Sequence, residues 1–404
     1  MLRKLFSARN TQQTISNLLS AFVCTLQKGA DCVKAISAAS NRGLDITSMN
    51  HLHIKAGPEV YELIKDGGFN LDMVAAYVAP AGGPRWLVAS GFDLALLKSQ
   101  LLGRRQAALL VGSSTGAWRL AAWLQPEAET SYHRLIDAYI AMPYHHKDPP
   151  RLVFDALGDV INAYLYEDAL SFALANKQYR LAVITVRAKH LLASDITLIQ
   201  WTGIGLCFLA NWLDRSYLDG FAERTVFYTG AKPPDFCFAR GFRGRFVALS
   251  EINFRHALLA SAAIPLVVAG VRDIFGAPTG VYRDGGLVDY HLTHRFATQK
   301  AGVTLFFHHQ ERIIPGWLDK RLTRRKPAAR SLNNVLMVYP TNEFVARLPD
   351  ERIPDRIDYL TYINDPRQRM TNWRQVVARA APLGDEFLEL VASGKIRNVV
   401  EKLD

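Results

Sequence analysis

Ser114 stands between two glycines in the stretch ALLVGSSTGAWRLAAW (108–123), where an apolar, strand-like run passes into a helix-like one. A G-x-S-x-G spacing at such a junction suits a nucleophile held on a sharp turn. Gly112 and Gly116 leave room for that turn, whose backbone stores about 1–3 kcal/mol of strain. The first amides of the following helix then point at the hydroxyl and favour the alkoxide and the oxyanion that succeeds it. Ser113 is the alternative nucleophile, but it sits at the wrong place between the glycines. A nucleophile also needs a base and donors for negative charge.

Donors are offered upstream by VAPAGGPRW (78–86), a loop between a strand-like and a helix-like segment. Paired glycines let backbone amides approach a ligand closely. Pro84 lacks an amide proton, which leaves Gly82, Gly83 and Arg85 as donors. Arg85 adds a full charge suited to a phosphate, and Thr115, directly after the serine, joins this oxyanion and substrate-binding set. The base comes from VYRDGGLVDYH (281–291). Asp284 precedes a Gly-Gly turn able to aim its carboxylate at a neighbouring strand end. In a dehydrated cleft its pKa rises from an ordinary 3.9 or so, and it can accept the serine proton. The rival is a Ser–His–Asp triad drawing on His291, His294, His308 or His309, with Asp284 or Asp289 as the orienting acid.

The elements that must position these residues are legible as short apolar runs at 73–79, 106–112, 181–188, 225–230, 302–309 and 334–340. Continuous apolar runs indicate strands buried on both faces, as in a largely parallel sheet. Helical spacing at 86–102, 115–124 and 252–263 alternates with them, which predicts an α/β fold of three layers, a mostly parallel central sheet flanked by helices. ITLIQWTGIGLCFLANWL (196–213) is uncharged and barely long enough to span a bilayer. Its Thr, Gln, Asn and glycines favour a buried helix, with an interfacial one as the alternative.

Lys and Arg number 48 against 37 Asp and Glu, a net charge of +11 that favours anionic surfaces. The most basic stretch, KRLTRRKPAAR (320–330), reads as a solvated loop. Nucleic acid is disfavoured: the Arg/Phe stripe FARGFRGRF (238–246) is explained by a strand alternating core and surface residues. Cys24, Cys32, Cys207 and Cys237 are scattered without a CxxC pair and read as reduced, mostly buried thiols of a cytoplasmic protein. Residues 1–49 read as a basic extension, with a weak apolar stretch, TISNLLSAFVCTL, that lacks a clear cleavage pattern; residues 50–404 read as one domain.

Four motifs in order, GGPR (82–85), GSSTG (112–116), ALLASAAIP (257–265) and DGG (284–286), resemble those of the patatin-like phospholipase family. They span about residues 50–310. Pro80 and Ala81 before the glycine pair, Trp86 after the arginine and LVDYHL after DGG depart from the family pattern and mark a divergent relative. The resemblance implies a patatin-like fold and a serine lipid acyl hydrolase of the phospholipase A or lysophospholipase type. Ser114 and Asp284 would form its dyad, the Gly82 and Gly83 amides its oxyanion hole, with no metal or cofactor. The implied partners are a phospholipid or other lipid ester and an anionic membrane surface approached peripherally. A Ser–His–Asp esterase and a catalytically silent lipid-binding protein are the competing expectations.

Overall fold

A computed structural model describes residues 51–145 and 148–403. The basic N-terminal extension, its apolar stretch, Cys24 and Cys32 lie outside the described residues. Residues 50–404 form one compact unit. Its strands are β1 (Leu52–Ala56), β2 (Val74–Ala79), β3 (Ala108–Ser113), β4 (Tyr179–Ala188), β5 (Ala222–Tyr228), β6 (Arg245–Ala248), β7 (Val271–Arg272), β8 (Val281–Asp284), β9 (Val303–Phe307), β10 (Val335–Pro340) and β11 (Val400–Lys402). The longer helices are α1 (Pro58–Lys65), α2 (Ser90–Ser99), α3 (Thr115–Ala122), α4 (Ala128–Ala141), α5 (Pro150–Tyr164), α6 (Thr197–Leu213), α7 (Phe254–Ser261), α8 (Pro366–Ala380) and α9 (Pro382–Ala392).

All eleven strands join one mixed, mostly parallel sheet in the order β11-β1-β10-β9-β2-β3-β4-β5-β6, with β8 against β4 and β7 against β8. The α/β architecture read from the alternating runs is therefore present. Each central strand splits its side chains between two cores, as the pleat requires. Tyr77 and Ala79 of β2 face one core while Ala76 and Val78 face the other, and both sets are almost wholly excluded from solvent. Residues after 310 belong to the same unit: β10 and β11 extend the sheet, and α9 packs on α2 through Phe92, whose ring centroid lies 5.0 Å from Phe387 and 4.5 Å from Phe307 of β9.

Parallel order carries a functional consequence. β2 and β3 lie side by side and run the same way, with Ala79 opposite Gly112, so the glycine loop and the serine turn leave the sheet together at carboxyl ends, where ligands collect in open α/β sheets. β8 runs antiparallel to β4, bringing Asp284 level with Thr185 and so to the same end.

Three sequence expectations need correction. The helix expected over 86–102 begins as a 3₁₀ turn (Gly83–Ala89) and becomes α-helical at Ser90, because Pro84 and the positive φ of Gly83 (+56°) shape its first turn. FARGFRGRF is not one strand. Only 245–248 is extended, and the preceding residues form a turn in which Phe242 lies against the Arg224 guanidinium, 4.5 Å from its centroid. Finally, α6 is not a buried helix. Its inward side carries Gln200, Gly203, Ile204, Cys207 and Asn211, while Leu198, Trp201, Leu206, Leu209, Trp212 and Leu213 are exposed. Gln200 and Asn211 are drawn inward by bonds to the Ser194 carbonyl (2.6 Å) and the Asp319 carboxylate (2.7 Å). No helix among the described residues is long and apolar enough to cross a membrane.

Candidate active site

Ser114 caps α3 at the end of β3, with φ +57° and ψ −134°. A side chain is rarely found there, and holding it costs about 1–3 kcal/mol. Close packing imposes the turn. A Cβ placed on Gly116 would lie 2.0 Å from the Ala79 carbonyl oxygen and 2.7 Å from that of Pro80. Gly116→Ala is accordingly expected to destabilise the protein by about 3 kcal/mol through overpacking, read as a lower unfolding midpoint in urea.

The serine amide donates to Ser261 Oγ (2.9 Å), and Ser261 Oγ donates to the Ile184 carbonyl of β4 (2.7 Å). Two residues further on, the Ala263 carbonyl accepts from the Asp284 amide (3.1 Å). The end of α7 therefore tethers both chemical residues. In the sequence its small residues signalled close packing; the hydrogen bond from Ser261 to the serine's own backbone is a positioning role that reading missed.

Across this junction Ser114 Oγ donates to Asp284 Oδ2 at 2.8 Å, a contact between residues 170 positions apart. Asp284 Oδ1 accepts from the Gly286 amide at 2.7 Å. Both side chains are deeply buried, at 1% and 5% exposure. Burial pushes the Asp284 carboxyl above the usual carboxylate range, opposed by the nearby Arg356 cation and by the bond from Ser114. A carboxylate so raised and aimed at a hydroxyl is a competent general base.

Three of the four histidines of the rival triad bond elsewhere, while His309 makes ring contacts with His291 (5.6 Å between centroids) and His308 (4.4 Å). His294 Nε2 meets Asp289 Oδ1 at 3.0 Å. Burial would raise the Asp289 carboxyl, but Arg224 and His294 beside it hold it well below its ordinary range. His291 Nδ1 accepts from the Ile314 amide (2.8 Å), and His308 Nδ1 meets the Gln310 carbonyl. The Ile314 bond makes Nε2 the protonated nitrogen of a neutral His291 ring, whereas His308 Nδ1 faces both the carbonyl and the amide (3.3 Å) of Gln310. The rings of these two residues lie 4.2 Å apart, edge to face, and the Nε2 of each is buried without a hydrogen-bond partner among the described residues. Burial holds His308 down at about 4 and lowers His291 and His309 strongly. All three are neutral at pH 7.

The glycine loop meets the serine turn where Thr115 Oγ1 donates to the Gly83 carbonyl (3.3 Å). Among the described residues the Gly82 and Gly83 amides donate to no acceptor, and the first amides of α3 have no intrahelical partner by helix geometry. Gly83 and Thr115 line, with Ser114, an apolar cavity of about 210 Å³ walled by Trp118, Tyr139 and Leu157. Arg85 turns away from it: the guanidinium bonds to the Asp355 carboxylate and donates to Tyr290 Oη (3.1 Å), so it does not line the cavity.

The cavity is lined instead by Arg356, which sequence reading passed over. Its guanidinium stem lies over Gly83, so close that a Cβ there would meet Nε at 2.9 Å. It lines the cavity with Tyr359 and Leu360, and its side chain bonds to no carboxylate among the described residues. No motif surrounds it; only the neighbouring acid, Asp355, hinted that Arg85 would be claimed.

Behind the site, Arg119 of α3 pairs with Asp93 of α2 (Nε to Oδ2, 3.1 Å), and Tyr132 Oη donates to the same carboxylate (2.5 Å), all buried. This network fixes the helix that begins at the serine. The remaining cysteines, Cys207 and Cys237, are buried thiols pushed up by burial to about 12, so neither is a nucleophile at neutral pH. No protein-family model matches the chain, and no curated protein does.

Proposed function

We propose that this protein is a serine lipid acyl hydrolase, a divergent relative of the patatin-like phospholipases, working with a Ser114–Asp284 dyad. The observation that carries the reading is the 2.8 Å bond between serine hydroxyl and buried carboxylate beside an acyl-sized apolar cavity. In the first step Ser114 Oγ attacks the ester carbonyl as Asp284 takes its proton. The negative oxygen is received by the amides of Gly82 and Gly83, with Thr115 at the helix start adding its own; each such donor is worth about a hundredfold to a thousandfold in rate. Collapse expels the alcohol, which recovers the proton from Asp284, and leaves an acyl-serine. Water then gives a proton to the same carboxylate and attacks the acyl carbon, releasing the fatty acid and restoring both residues. No metal or cofactor enters this scheme. The substrate is a phospholipid, lysophospholipid or related lipid ester met by a cytoplasmic protein at a membrane surface.

The dyad is favoured over a triad because the serine hydroxyl is bonded to a carboxylate, while His291, His294 and His308 bond elsewhere and His309 packs against the other two buried rings. A hydrolysis screen across phospholipids, lysophospholipids and neutral glycerides, run with fluorophosphonate labelling, tests the reading. Release of fatty acid with the label on Ser114 is expected. Lipid binding with neither release nor label would establish a silent binding protein instead.

Arg356 gives this site a charge preference. An unpaired guanidinium at the cavity suits a lipid whose phosphate lies near the scissile ester. Arg356→Gln is expected to lower kcat/KM at least about tenfold on lysophosphatidic acid, the loss of one charge-assisted bond, and by less on a neutral monoacylglycerol. Because the cation holds the Asp284 carboxyl down, the acid limb of the pH–rate profile should also move to higher pH.

A further inference from the structure

The outward side of α6 is a broad apolar face that the proposed chemistry leaves unused. Soluble helices turn large apolar residues inward, and this one does the reverse. Its inward stripe is Gln200, Gly203, Ile204, Cys207 and Asn211, whereas Leu198 is 77% exposed, Trp201 and Trp212 are each 59% exposed, and Leu209 and Leu213 are likewise open. No charge interrupts the helix between Asp195 and Asp214. Asp195 is engaged by Arg283 (2.6 Å) and Arg272 (3.0 Å), and Asp214 caps the Ser216 amide. The inward side of the helix is tied to the edge of the cavity. Gln200 accepts from the amide of Leu266, and the next residue, Val267, is a partly exposed wall of the cavity.

Charge fixes what would cover it. At the carboxyl end of α6, Arg325 donates to the Asn211 carbonyl (2.7 Å) and side chain (3.1 Å), which pins the stretch 320–330 to the helix. That stretch holds six cations and no acid, and Arg321, Arg324, Lys326 and Arg330 are exposed. Two exposed indoles on an apolar helix face next to a cationic loop match the headgroup region of an anionic bilayer, where indoles settle at the interface and cations meet phosphate and carboxylate headgroups. We infer that α6 is an interfacial anchor that seats the protein on anionic membranes with the cavity beside the lipid. The inference rests on the lipid hydrolase reading for its purpose, but docking itself needs no catalysis.

Co-sedimentation of the full chain with phosphatidylcholine vesicles, with and without phosphatidylserine, tests it. Trp201→Ser combined with Trp212→Ser is expected to weaken binding at least about tenfold with the unfolding temperature unchanged, since both side chains are exposed. Arg324→Ser with Lys326→Ser should weaken binding to phosphatidylserine vesicles by about fivefold per cation at low salt. Ser114→Ala should bind like the unaltered protein, so that loss of activity and loss of docking are read separately. Undiminished binding by the tryptophan variant would overturn the inference, as would equal binding to both vesicle types. A dimer in solution that the tryptophan changes split into monomers would overturn it too, by assigning the face to a second copy.

Discussion

Ser114→Ala is expected to reduce lipid ester hydrolysis by at least about a thousandfold, because it removes the atom that forms the acyl intermediate and not merely a group that assists it. The residual rate would be that of water acting beside the oxyanion donors. The fold should survive. The hydroxyl bonds to the Asp284 carboxylate, and the serine's structural work is done by its amide, which donates to Ser261 and is retained. The cost is one buried carboxylate oxygen left short of a donor, about 1–3 kcal/mol. Fatty acid release from the best lipid of the screen measures the first effect and urea unfolding the second. Activity surviving in this variant would remove Ser114 from the chemistry, and a fluorophosphonate adduct on Ser113 would move the nucleophile one residue back.

Replacing the base gives the second large effect, with an opposite sign for stability. Asp284→Asn keeps the shape of the side chain but can no longer take a proton, and a loss of about a hundredfold to ten-thousandfold is expected. In the proposed mechanism activity requires the ionised carboxylate. Its pKa is raised above 3.8 by burial, so the acid limb of the pH–rate profile should lie above the ordinary carboxylate range. The same shift bears on folding. A carboxyl whose pKa is higher folded than unfolded contributes its stability at low pH and loses it as pH rises through the folded value. At neutral pH the ionised Asp284 therefore opposes folding, and the asparagine variant should unfold at a higher temperature than the unaltered protein at pH 7. The advantage should shrink towards acid pH. An asparagine variant that is fully active, or less stable at pH 7 and equally so at pH 4, would contradict this account.

The strands and the chemical motifs were legible in the sequence for a physical reason: both are local. A strand buried on two faces writes itself as a run such as LAVITV, and the serine, glycine and aspartate motifs each need particular small residues within a few positions. What escaped is whatever depends on a distant partner. β1 is five residues of mixed polarity, LHIKA, whose place is set by antiparallel pairing with β10 nearly three hundred positions away. Arg85 and Arg356 look equally available in the sequence, and the choice between them is made by Asp355. The run at 196–213 has too few polar residues for periodicity to tell inside from outside. Its orientation follows from two bonds, made by Gln200 and Asn211, to groups elsewhere in the chain.

The backbones of Ser114 and Asp284 are both fastened to the short segment Ser261–Ala263, so distortion of the sheet on heating is expected to carry the two along jointly instead of pulling them apart. The cavity wall formed by Arg356, Tyr359 and Leu360 hangs from a separate part of the chain. Tyr359 and Leu360, unlike Arg356, are not among the groups that shift the Asp284 carboxyl, so on the proposed hydrolase reading substitutions at these two positions are expected to redraw which lipids are accepted without retuning the proton transfer.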